Sequence, residues 1–460
     1  MAARYRPHCE TRVDFTDHVR RLNIANATNK VNFFFMNHTK TILRCWRNRQ
    51  DARTLSETET ERVARVLLTL QRGLTGNRTL AGTGYMDEDA ALGAYLLYYY
   101  TVTHTQITFA LRSFLPLTDL AKRNSLRILD VGSGPAPASM AALDVLSEMS
   151  DDLAHIELTC VDSSAKALTL AKKLFAADCP NVCVHTKCLS LERAAMREQT
   201  RYDLIIASHV INELWKEKSD RQERRLKFLT DLAEHLNEGG ILLICEPALL
   251  ETSRDTIRLA LSLSEKNFTV LAPCPNSFAQ KIRCPIFSAT ASANASCHAE
   301  VFTTFDPLVL KIAAKAGLTR QSVKMTFFAL QKECTAHTKV NEVAAHYRVV
   351  SDAMLNKAGR IRYLLCDGKR RIPISAKSDD STARKIGFFN LKRYDAVTVT
   401  NPEMRGDAQN PSFGIDEKTR LTVRPFAPHS QGSPVPLLQA KSRARREETN
   451  RGRRSITPKR

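Results

Sequence analysis

One stretch constrains the fold of this chain more than any other: residues 126–137, which read Leu-Arg-Ile-Leu-Asp-Val-Gly-Ser-Gly-Pro-Ala-Pro. Its first half is apolar and free of turn residues, which predicts a buried β-strand that ends at Gly132. The residues that follow put Met140, Leu143 and Leu146 at helical spacing. Strand, glycine turn and helix in this order form a ligand cradle, because glycine lets the backbone approach a ligand and a helix N-terminus offers free N–H groups.

The residues of the turn indicate which ligand it binds. Proline occupies position 137, so the third glycine of the dinucleotide-binding fingerprint is missing. Asp130, Gly132 and Gly134 instead form Asp-x-Gly-x-Gly, the pattern that S-adenosylmethionine (SAM) methyltransferases carry after a strand. We therefore expect these three residues to contribute to a SAM site.

A second strand is predicted at His155–Val161, and it ends at Asp162. An acid at the end of the second strand of such a fold accepts hydrogen bonds from two ribose hydroxyls. The alternative role for Asp162 is to cap the helix predicted at Ala165–Ala177. We favour the ribose role, because this fold needs an acid at that point of the chain.

Strands and helices alternate through residues 125–250. The predicted strands include one near Val182–Val184, one at Asp203–Ser208 and one at Ile241–Cys245, and a helix is predicted at Arg221–Leu236. Such alternation predicts a parallel sheet with helices on both faces, the Rossmann-like architecture of class I SAM methyltransferases. In these sheets ligands bind beyond the carboxyl ends of the strands.

The residues at those carboxyl ends form the candidate site. They are Asp130, Asp162, Ser208, His209, Asn212, Glu213 and Glu246, which we expect along one rim. Ser208 is a candidate cofactor contact, and His209, Asn212 and Glu213 are the candidate catalytic residues. His209 suits a general base, and a structural loop histidine is an equally good interpretation. Cys245 is interpreted as a buried strand cysteine rather than a nucleophile.

Three cysteines lie in a segment that lacks the pattern of a helix or strand, the cysteine-rich loop 271–300. Cys274, Cys284 and Cys297 are separated there by small and polar residues that are too weak to build a core. A metal centre explains how such a segment is held, since thiolates bind iron–sulfur clusters and zinc. Twelve cysteines in a chain without an evident export signal argue against a disulfide framework.

Charge and composition suggest the remaining organisation. We expect a helical region over 1–124, the Rossmann domain over 125–332, a basic β-rich module over 333–400 and a disordered basic tail over 401–460. The net charge is +20, and nine Lys or Arg against two Glu in the last twenty residues supply +7 of it. A chain this basic favours a polyanionic partner such as RNA. No apolar run is long enough to span a bilayer, so we expect no membrane partner.

Several motifs together resemble one family. They are Leu-Asp-Val-Gly-Ser-Gly-Pro, the run Asp-Leu-Ile-Ile-Ala-Ser-His-Val-Ile-Asn-Glu-Leu, then Ala-Pro-Cys-Pro, Cys-Pro, Cys-His and Leu-Leu-Cys-Asp-Gly, in that order. The sequence resembles the methyltransferase-like assembly factors of the small ribosomal subunit, which occur in mitochondria and bacteria. The resemblance covers roughly residues 85–395.

The resemblance implies a SAM-type domain, a [4Fe–4S] cluster and binding to small-subunit ribosomal RNA (rRNA). The cluster ligands would be Cys274, Cys284, Cys297 and the distant Cys366, with zinc as the alternative metal. The function would be that of an rRNA methyltransferase or an assembly factor. The alternatives are a catalytically inactive rRNA-binding factor and a small-molecule methyltransferase with structural zinc. We expect a monomer apart from the ribosome, in a bacterial cytoplasm or alternatively a mitochondrial matrix.

Overall fold

The computed structural model describes residues 38–48, 54–149, 155–193, 199–275, 282–332, 346–407 and 410–427. The chain begins there with helices, as the sequence predicts. Residues 38–47 are helical, and the helices that follow are α1 (Glu57–Gln71), α2 (Asp89–Ala94) and α3 (Tyr100–Phe114), with a π-turn at Tyr95–Tyr99 between the last two. Helix α1 starts at a capping box, in which Ser56 and Glu59 each satisfy the other's backbone N–H.

An eight-stranded sheet forms the centre of the molecule. Its strands are β1 (Ser125–Val131), β2 (His155–Asp162), β3 (Cys183–Cys188), β4 (Tyr202–Ser208), β5 (Leu236–Pro247), β6 (Phe268–Ala272), β7 (Ala299–Phe302) and β8 (Ser322–Lys332). The order is β3-β2-β1-β4-β5-β8-β6, and β7 also pairs with β8. Strands β3, β2, β1, β4 and β5 are parallel, which confirms the predicted Rossmann-like class. Strand β8 runs antiparallel to its neighbours, so the sheet is not wholly parallel.

Helices cover both faces of this sheet. They are α4 (Pro137–Met149), α5 (Ala165–Asp178), α6 (Arg221–Glu234), α7 (Leu250–Ser264) and α8 (Pro307–Lys315). Alternation along β1 sends Ile128 and Leu129 into different apolar clusters on the two faces, and both side chains are fully buried. The N-terminal helices pack on the Ile128 side, where α3 lies against α4.

Three predicted boundaries differ from the structure. Helix α6 ends at Glu234, and β5 begins at Leu236, five residues before the predicted strand. Gly239 has a positive φ of 69° and the pairing of β5 with β4 shifts register near Tyr202, so this early part of the strand is irregular. The helix predicted at Ala165–Ala177 is extended by one residue.

A second sheet forms the C-terminal module. It contains β9 (His346–Val349), β10 (Met354–Leu355), β11 (Arg360–Cys366), β12 (Arg371–Lys377), β13 (Ala396–Thr400), β14 (Glu403–Gly406), β15 (Pro411–Gly414) and β16 (Arg420–Arg424), with the short helix α9 (Ser381–Lys385) between β12 and β13. The strand order is β14-β15-β12-β11-β9-β13-β16, and β10 pairs with β11. Tyr363 and Phe388 pack edge to face in its core.

The end of this module differs from the sequence-based expectation. Disorder was expected from residue 401, but three strands lie between Glu403 and Arg424. Phe426 lies just after β16 and contacts the first sheet, because its ring stacks on Phe327 of β8 and meets Tyr394 edge to face. The basic tail at Lys441–Arg460 lies outside the described residues. Within the described part of the chain, no helix is both long enough and apolar enough to cross a bilayer.

Candidate functional site

The glycine turn after β1 has the geometry of a ligand cradle. Gly132 and Gly134 have φ values of 67° and 54°, in the left-handed region where only glycine avoids a Cβ penalty. The N–H groups of Gly132 and Ser133 donate to the carbonyl of Val161 at 2.7 and 3.0 Å, which fastens the turn to β2. A Cβ at position 132 would overlap the side chain of Val210, so a larger residue does not fit there.

Asp162 stands between this turn and helix α5. Its Oδ2 accepts the N–H of Gly134 and its Oδ1 the N–H of Ser164, each at 2.8 Å. Burial raises the pKa of Asp162. The N-cap of α5 is Ser164, whose hydroxyl accepts the N–H of Ala167 at 3.2 Å. The capping role considered for Asp162 therefore belongs to Ser164, and Asp162 borders the cavity described below.

Asp130 lies near the end of β1, just before the glycine turn, and contacts helix α4. It is 1% exposed, and its Oδ2 accepts the hydroxyl of Ser139 at 2.6 Å. Burial raises the pKa of Asp130 to about 7, although the hydrogen bond from Ser139 acts in the opposite direction. Among the described residues its Oδ1 has no hydrogen-bond partner. The carboxyl group is thus held at the strand end with one acceptor unused.

A cavity of about 560 Å³ lies beyond the carboxyl ends of β1, β2 and β4. The predicted residues that line it are Gly132, Asp162, Ser208, His209, Asn212 and Glu213. The hydroxyl of Ser208 is buried and finds no partner within the described segments. A buried polar atom without a partner is costly, so this hydroxyl suits a bound polar ligand.

The N-terminal region supplies the opposite wall of the cavity. Tyr85, Tyr95 and Tyr99 border it, and the rings of Tyr95 and Tyr99 stack with centroids 5.7 Å apart. Tyr98 and Tyr100 point into the apolar core and are each 1% exposed. Different faces of one helical segment therefore contact the core and the cavity. A helical region before a Rossmann domain does not reveal by itself which tyrosines face a ligand.

His209 is held in a fixed orientation. Its φ is 58°, and its Nε2–H donates to Oε1 of Gln106 at 2.7 Å. The amide nitrogen of Gln106 donates in turn to the carbonyl of Lys324 at 2.9 Å. Burial lowers the pKa of His209 to about 4, so its imidazole is neutral at physiological pH. With Nε2 protonated, Nδ1 is the ring nitrogen able to accept a proton.

Glu246 lies behind the loop after β4 rather than on the rim where the sequence suggested it. Its Oε1 accepts the N–H groups of Ile211 and Asn212, and its Oε2 accepts the side-chain amide of Asn212 at 2.6 Å. The residue is fully buried, and burial raises its pKa to about 8. Glu246 therefore shapes the loop and has no access to the cavity edge.

Two arginines hold the same loop from outside. Arg78 donates to Oδ1 of Asn212 at 2.6 Å, and Arg225 donates to the carbonyls of Asn212 and Leu214 at 2.9 Å each. The side-chain oxygen and nitrogen of Asn212 are therefore both hydrogen-bonded within the protein. Glu213 is left facing the cavity, where it accepts the N–H of Gly82 at 3.0 Å. Burial raises the pKa of Glu213 to about 7.

The four predicted metal-ligating cysteines come from both halves of the molecule, and their thiols are near enough to affect one another's pKa, although no three of the four sulfur atoms lie within 4.8 Å of one another. Burial raises the pKa of the Cys274 thiol well above its usual range, and the nearby thiols of Cys284, Cys366 and Cys297 raise it further. Burial also raises the pKa of Cys366 to about 12, with further contributions from Cys297 and Cys284. The fold thus brings Cys366 of β11 to the cysteine-rich loop.

Further contacts join the two sides of this cysteine group. Arg283 N–H donates to the carbonyl of Gly368 at 3.0 Å, and Arg371 donates to the carbonyl of Ser296 at 3.0 Å. Nε of Arg371 is buried and lacks a partner in the described part of the chain. Its positive charge lowers the pKa of Cys284, although burial dominates and raises that pKa to about 12. A cationic donor beside four thiols fits a negatively charged metal–thiolate centre.

Sequence reasoning missed several residues of the site. Gln106, Arg78 and Arg225 fix its loops, yet nothing in their local sequence marks them. Gln106 and Arg78 contact their partners across more than 100 positions of the chain. Such pairs become visible only in the folded chain.

Comparisons with known proteins identify one family. The model of the family described as mitochondrial small ribosomal subunit Rsm22 matches residues 90–380. No curated protein matches the sequence significantly.

Among solved structures, the chain is similar to a protein of Listeria monocytogenes described as a candidate class I SAM-dependent methyltransferase, at 14% identity and a TM-score of 0.35, covering 69% of this chain and 91% of that one. It is also similar to the plantazolicin methyltransferase BpumL in complex with SAH, at 14% identity and a TM-score of 0.30, covering 60% and 97%. An rRNA methylase of Streptococcus thermophilus is 10% identical, with a TM-score of 0.27 and coverage of 50% and 96%. Similarity at this level extends no function to the chain.

Proposed function

The chain belongs to the Rsm22 family, described as mitochondrial small ribosomal subunit proteins, and from this premise we propose that it is a SAM-binding factor that acts on small-subunit rRNA in mitochondria. The cavity beyond β1, β2 and β4 carries the SAM part of the proposal. The family description carries the ribosomal part and matches the mitochondrial alternative rather than the bacterial cytoplasm.

The residues around the glycine turn suit SAM. Gly132 and Gly134 give close backbone approach, and Asp162 borders the cavity as an acceptor for ribose hydroxyls. The unpartnered hydroxyl of Ser208 is a further polar contact. SAM supplies an electrophilic methyl group on a positively charged sulfonium, and the carboxyl groups of Asp162 and Glu213 favour that charge.

The cysteine group is proposed to hold a [4Fe–4S] cluster through Cys274, Cys284, Cys297 and Cys366. Four cysteines are the usual ligand set for this cluster, and zinc is the alternative. The cluster would join β11 of the C-terminal module to the cysteine-rich loop. Its proposed role is structural, because it would fix one basic module against the SAM-binding domain. The net charge of +20 supports RNA as the ligand of the combined surface.

Methyl transfer is the second candidate function. Nδ1 of neutral His209 and the carboxyl group of Glu213 are the groups near the cavity that could take a proton from an acceptor. Asn212 is tied to Arg78 and Glu246, which favours a structural role for it. The small-molecule alternative predicts no RNA affinity, so the positive charge disfavours it.

The test of SAM binding is calorimetric titration of the full chain with SAM. We expect Asp162→Asn to weaken binding about 10–100-fold, because it removes the charge from hydrogen bonds to ribose. Asp119→Asn, an exposed acid outside the cavity lining, is the matched control and should bind like the original chain. Absence of SAM binding by the original chain would refute the cofactor assignment.

The test of activity is transfer of radioactive methyl groups from SAM to small-subunit rRNA. Turnover at saturating SAM that falls with His209→Asn or Glu213→Gln would support the methyltransferase. SAM binding without turnover on naked rRNA and on assembling small subunits would identify a factor that has kept the fold and lost the reaction.

A further inference from the structure

A second group of metal-ligating side chains lies far from the cysteines in sequence. His38, His104 and Asp144 bring two imidazole nitrogens and a carboxylate oxygen together, and these atoms all lie within 4.8 Å of one another. Nε2 of His38 is 3.1 Å and Nε2 of His104 is 2.7 Å from the same Oδ2 of Asp144. All three side chains are nearly inaccessible, with 7%, 4% and 11% of their surface exposed.

Each of these residues comes from a different element. His38 lies in the helix of residues 38–47, His104 in α3 and Asp144 in α4. A metal ion bound by all three residues would therefore fasten two N-terminal helices to the first helix of the SAM-binding domain. None of the three borders the 560 Å³ cavity.

A second carboxylate stands behind His38. Nδ1 of His38 is 2.8 Å from Oδ2 of Asp178, at the end of α5, and the hydroxyl of Thr41 donates to the other oxygen of that carboxylate at 2.8 Å. Asp178 thus orients the ring so that Nε2 faces Asp144 and His104. A histidine that donates one ring N–H to a carboxylate while the other nitrogen faces a shared point is the usual arrangement in metal sites.

We propose that His38, His104 and Asp144 bind a zinc ion that fastens the N-terminal helices to the SAM-binding domain. Imidazole and carboxylate are ligands that zinc accepts, and structural zinc sites have four ligands in tetrahedral geometry. With bonds of about 2.1 Å, tetrahedral ligand atoms lie about 3.4 Å apart. The observed separations of 2.7 and 3.1 Å are shorter than this spacing by about 0.7 and about 0.3 Å, so the side chains must move apart by less than 1 Å to admit the ion.

Cys179 is a candidate for the fourth ligand, although its sulfur is not among the atoms that lie within 4.8 Å of one another. It directly follows Asp178, and its sulfur lies 3.7 Å from that of Met140, one helical turn before Asp144 on α4. Its thiol is therefore on the same side of α4 as the three ligands. A rotation of this side chain would complete a set of two histidines, one aspartate and one cysteine.

The experiment counts zinc and iron in the anaerobically purified full chain and in variants of each site. We expect about one zinc per chain, lost in His104→Ala and kept in Cys366→Ser, whose iron content should fall instead. His155→Ala removes an exposed histidine and is the matched control, with zinc unchanged. These variants separate this site from the cysteine group, where zinc is the alternative to a cluster.

A second measurement covers the case in which His104→Ala fails to fold. Asp178→Asn keeps all three ligands and should lower zinc affinity about 10–100-fold in a chelator competition. Cobalt added to the metal-stripped chain should give the visible absorption of a tetrahedral site. An original chain that retains neither zinc nor cobalt would overturn the proposal and leave a purely hydrogen-bonded network. Zinc that is lost with Cys366→Ser and kept with His104→Ala would overturn it equally.

Discussion

Carboxyl groups shielded from water gather around the glycine turn. Asp162 and Glu213 line the candidate cofactor cavity, Asp130 lies two residues before Gly132 of the turn, and burial raises the pKa of each carboxyl group. A buried carboxyl group is stabilised in its charged form when a cation binds beside it. At the scale of single residues, the site is therefore suited to a positively charged ligand such as a sulfonium.

The pKa of Glu213 leads to a prediction about stability. The folded pKa is about 7 against an ordinary value of 4.5, so the folded chain holds this proton where the unfolded chain has lost it. The free energy of unfolding should fall as pH rises from about 4.5 to 7, by at most about 1.4 kcal/mol per pH unit for this group. Urea unfolding of Glu213→Gln at several pH values should show a shallower fall.

Glu217, an exposed acid four positions after Glu213, provides the control for this measurement. Its side chain is 84% exposed, so Glu217→Gln should leave the pH dependence as it is in the original chain. Equal slopes for Glu213→Gln and the original chain would show that Glu213 is not held protonated.

Sequence reasoning succeeds at those residues whose position follows from strand ends. Asp130 and Asp162 lie near the ends of β1 and β2, whose parallel pairing places both at one edge of the sheet, and Asp162 borders the cavity there. Glu246 also ends a strand, yet it is fully buried and turns toward the loop backbone. The end of a strand fixes the position of a residue's backbone. The residues packed around it in the fold decide what its side chain contacts.

Of the two arginines that contact the loop after β4, Arg225 is the buried one. Arg225 of α6 donates to the carbonyls of Asn212 and Leu214, which no other arginine of that helix reaches among the described contacts. We expect Arg225→Met to lower the free energy of unfolding by about 1–3 kcal/mol, because it leaves the carbonyl of Leu214 without this partner, while Arg78 still donates to the carbonyl of Asn212. Urea denaturation measures this change, and SAM titration of the folded fraction should show weakened binding.

Arg224 on the same helix provides a matched control. Its guanidinium pairs with Asp220 four residues earlier on the surface, where water screens the contact. Arg224→Met should therefore be nearly neutral. An equal decrease in the free energy of unfolding in both variants would contradict this account. It would mean that the mutations disturb the helix itself and not the contact with the loop.

At the scale of elements, periodicity predicts the strands and helices around the cavity and misses two features. The order of alternating elements could not reveal that β8 inserts antiparallel between β5 and β6. The polar run Asn237–Gly240 reads as a turn, yet it continues β5 through an irregular pairing. Strand direction and irregular pairing depend on partners distant in sequence, which a local pattern does not contain.

At the scale of the whole molecule, contacts join the C-terminal module to the Rossmann-like domain. Arg348 is buried and donates to the carbonyl of Pro273 at 2.8 Å, and Tyr394 lies 3.2 Å from the sulfur of Cys297. We expect Cys366→Ser to lower iron content and to speed proteolysis of the module, because a lost ligand exposes the proposed cluster. Metal analysis and limited proteolysis on one sample would measure both effects.

Cys188→Ser controls for loss of a thiol as such, since Cys188 is exposed on edge strand β3. Iron and proteolysis should not change in that variant. Unchanged metal in Cys366→Ser would remove Cys366 from the ligand set.

The extent of this module was the largest sequence-based error. Proline, glycine and arginine beyond residue 400 suggested disorder, although β15 pairs with β12 and β16 with β13. Short strands with charged outer faces bury few residues each, so their composition resembles that of a linker. The grouping of Cys366 with the cysteines of the loop, by contrast, followed only from resemblance to the family. Sequence spacing alone gives no reason to place Cys366 beside Cys274.

Sedimentation with ribosomal subunits tests the central claim most directly. The purified full chain would be mixed with separated small and large mitochondrial subunits, including assembling small subunits, and centrifuged at increasing salt concentrations. The proposed function predicts selective sedimentation with small subunits that weakens as salt rises. Equal binding to both subunits, or binding to neither at low salt, would contradict it.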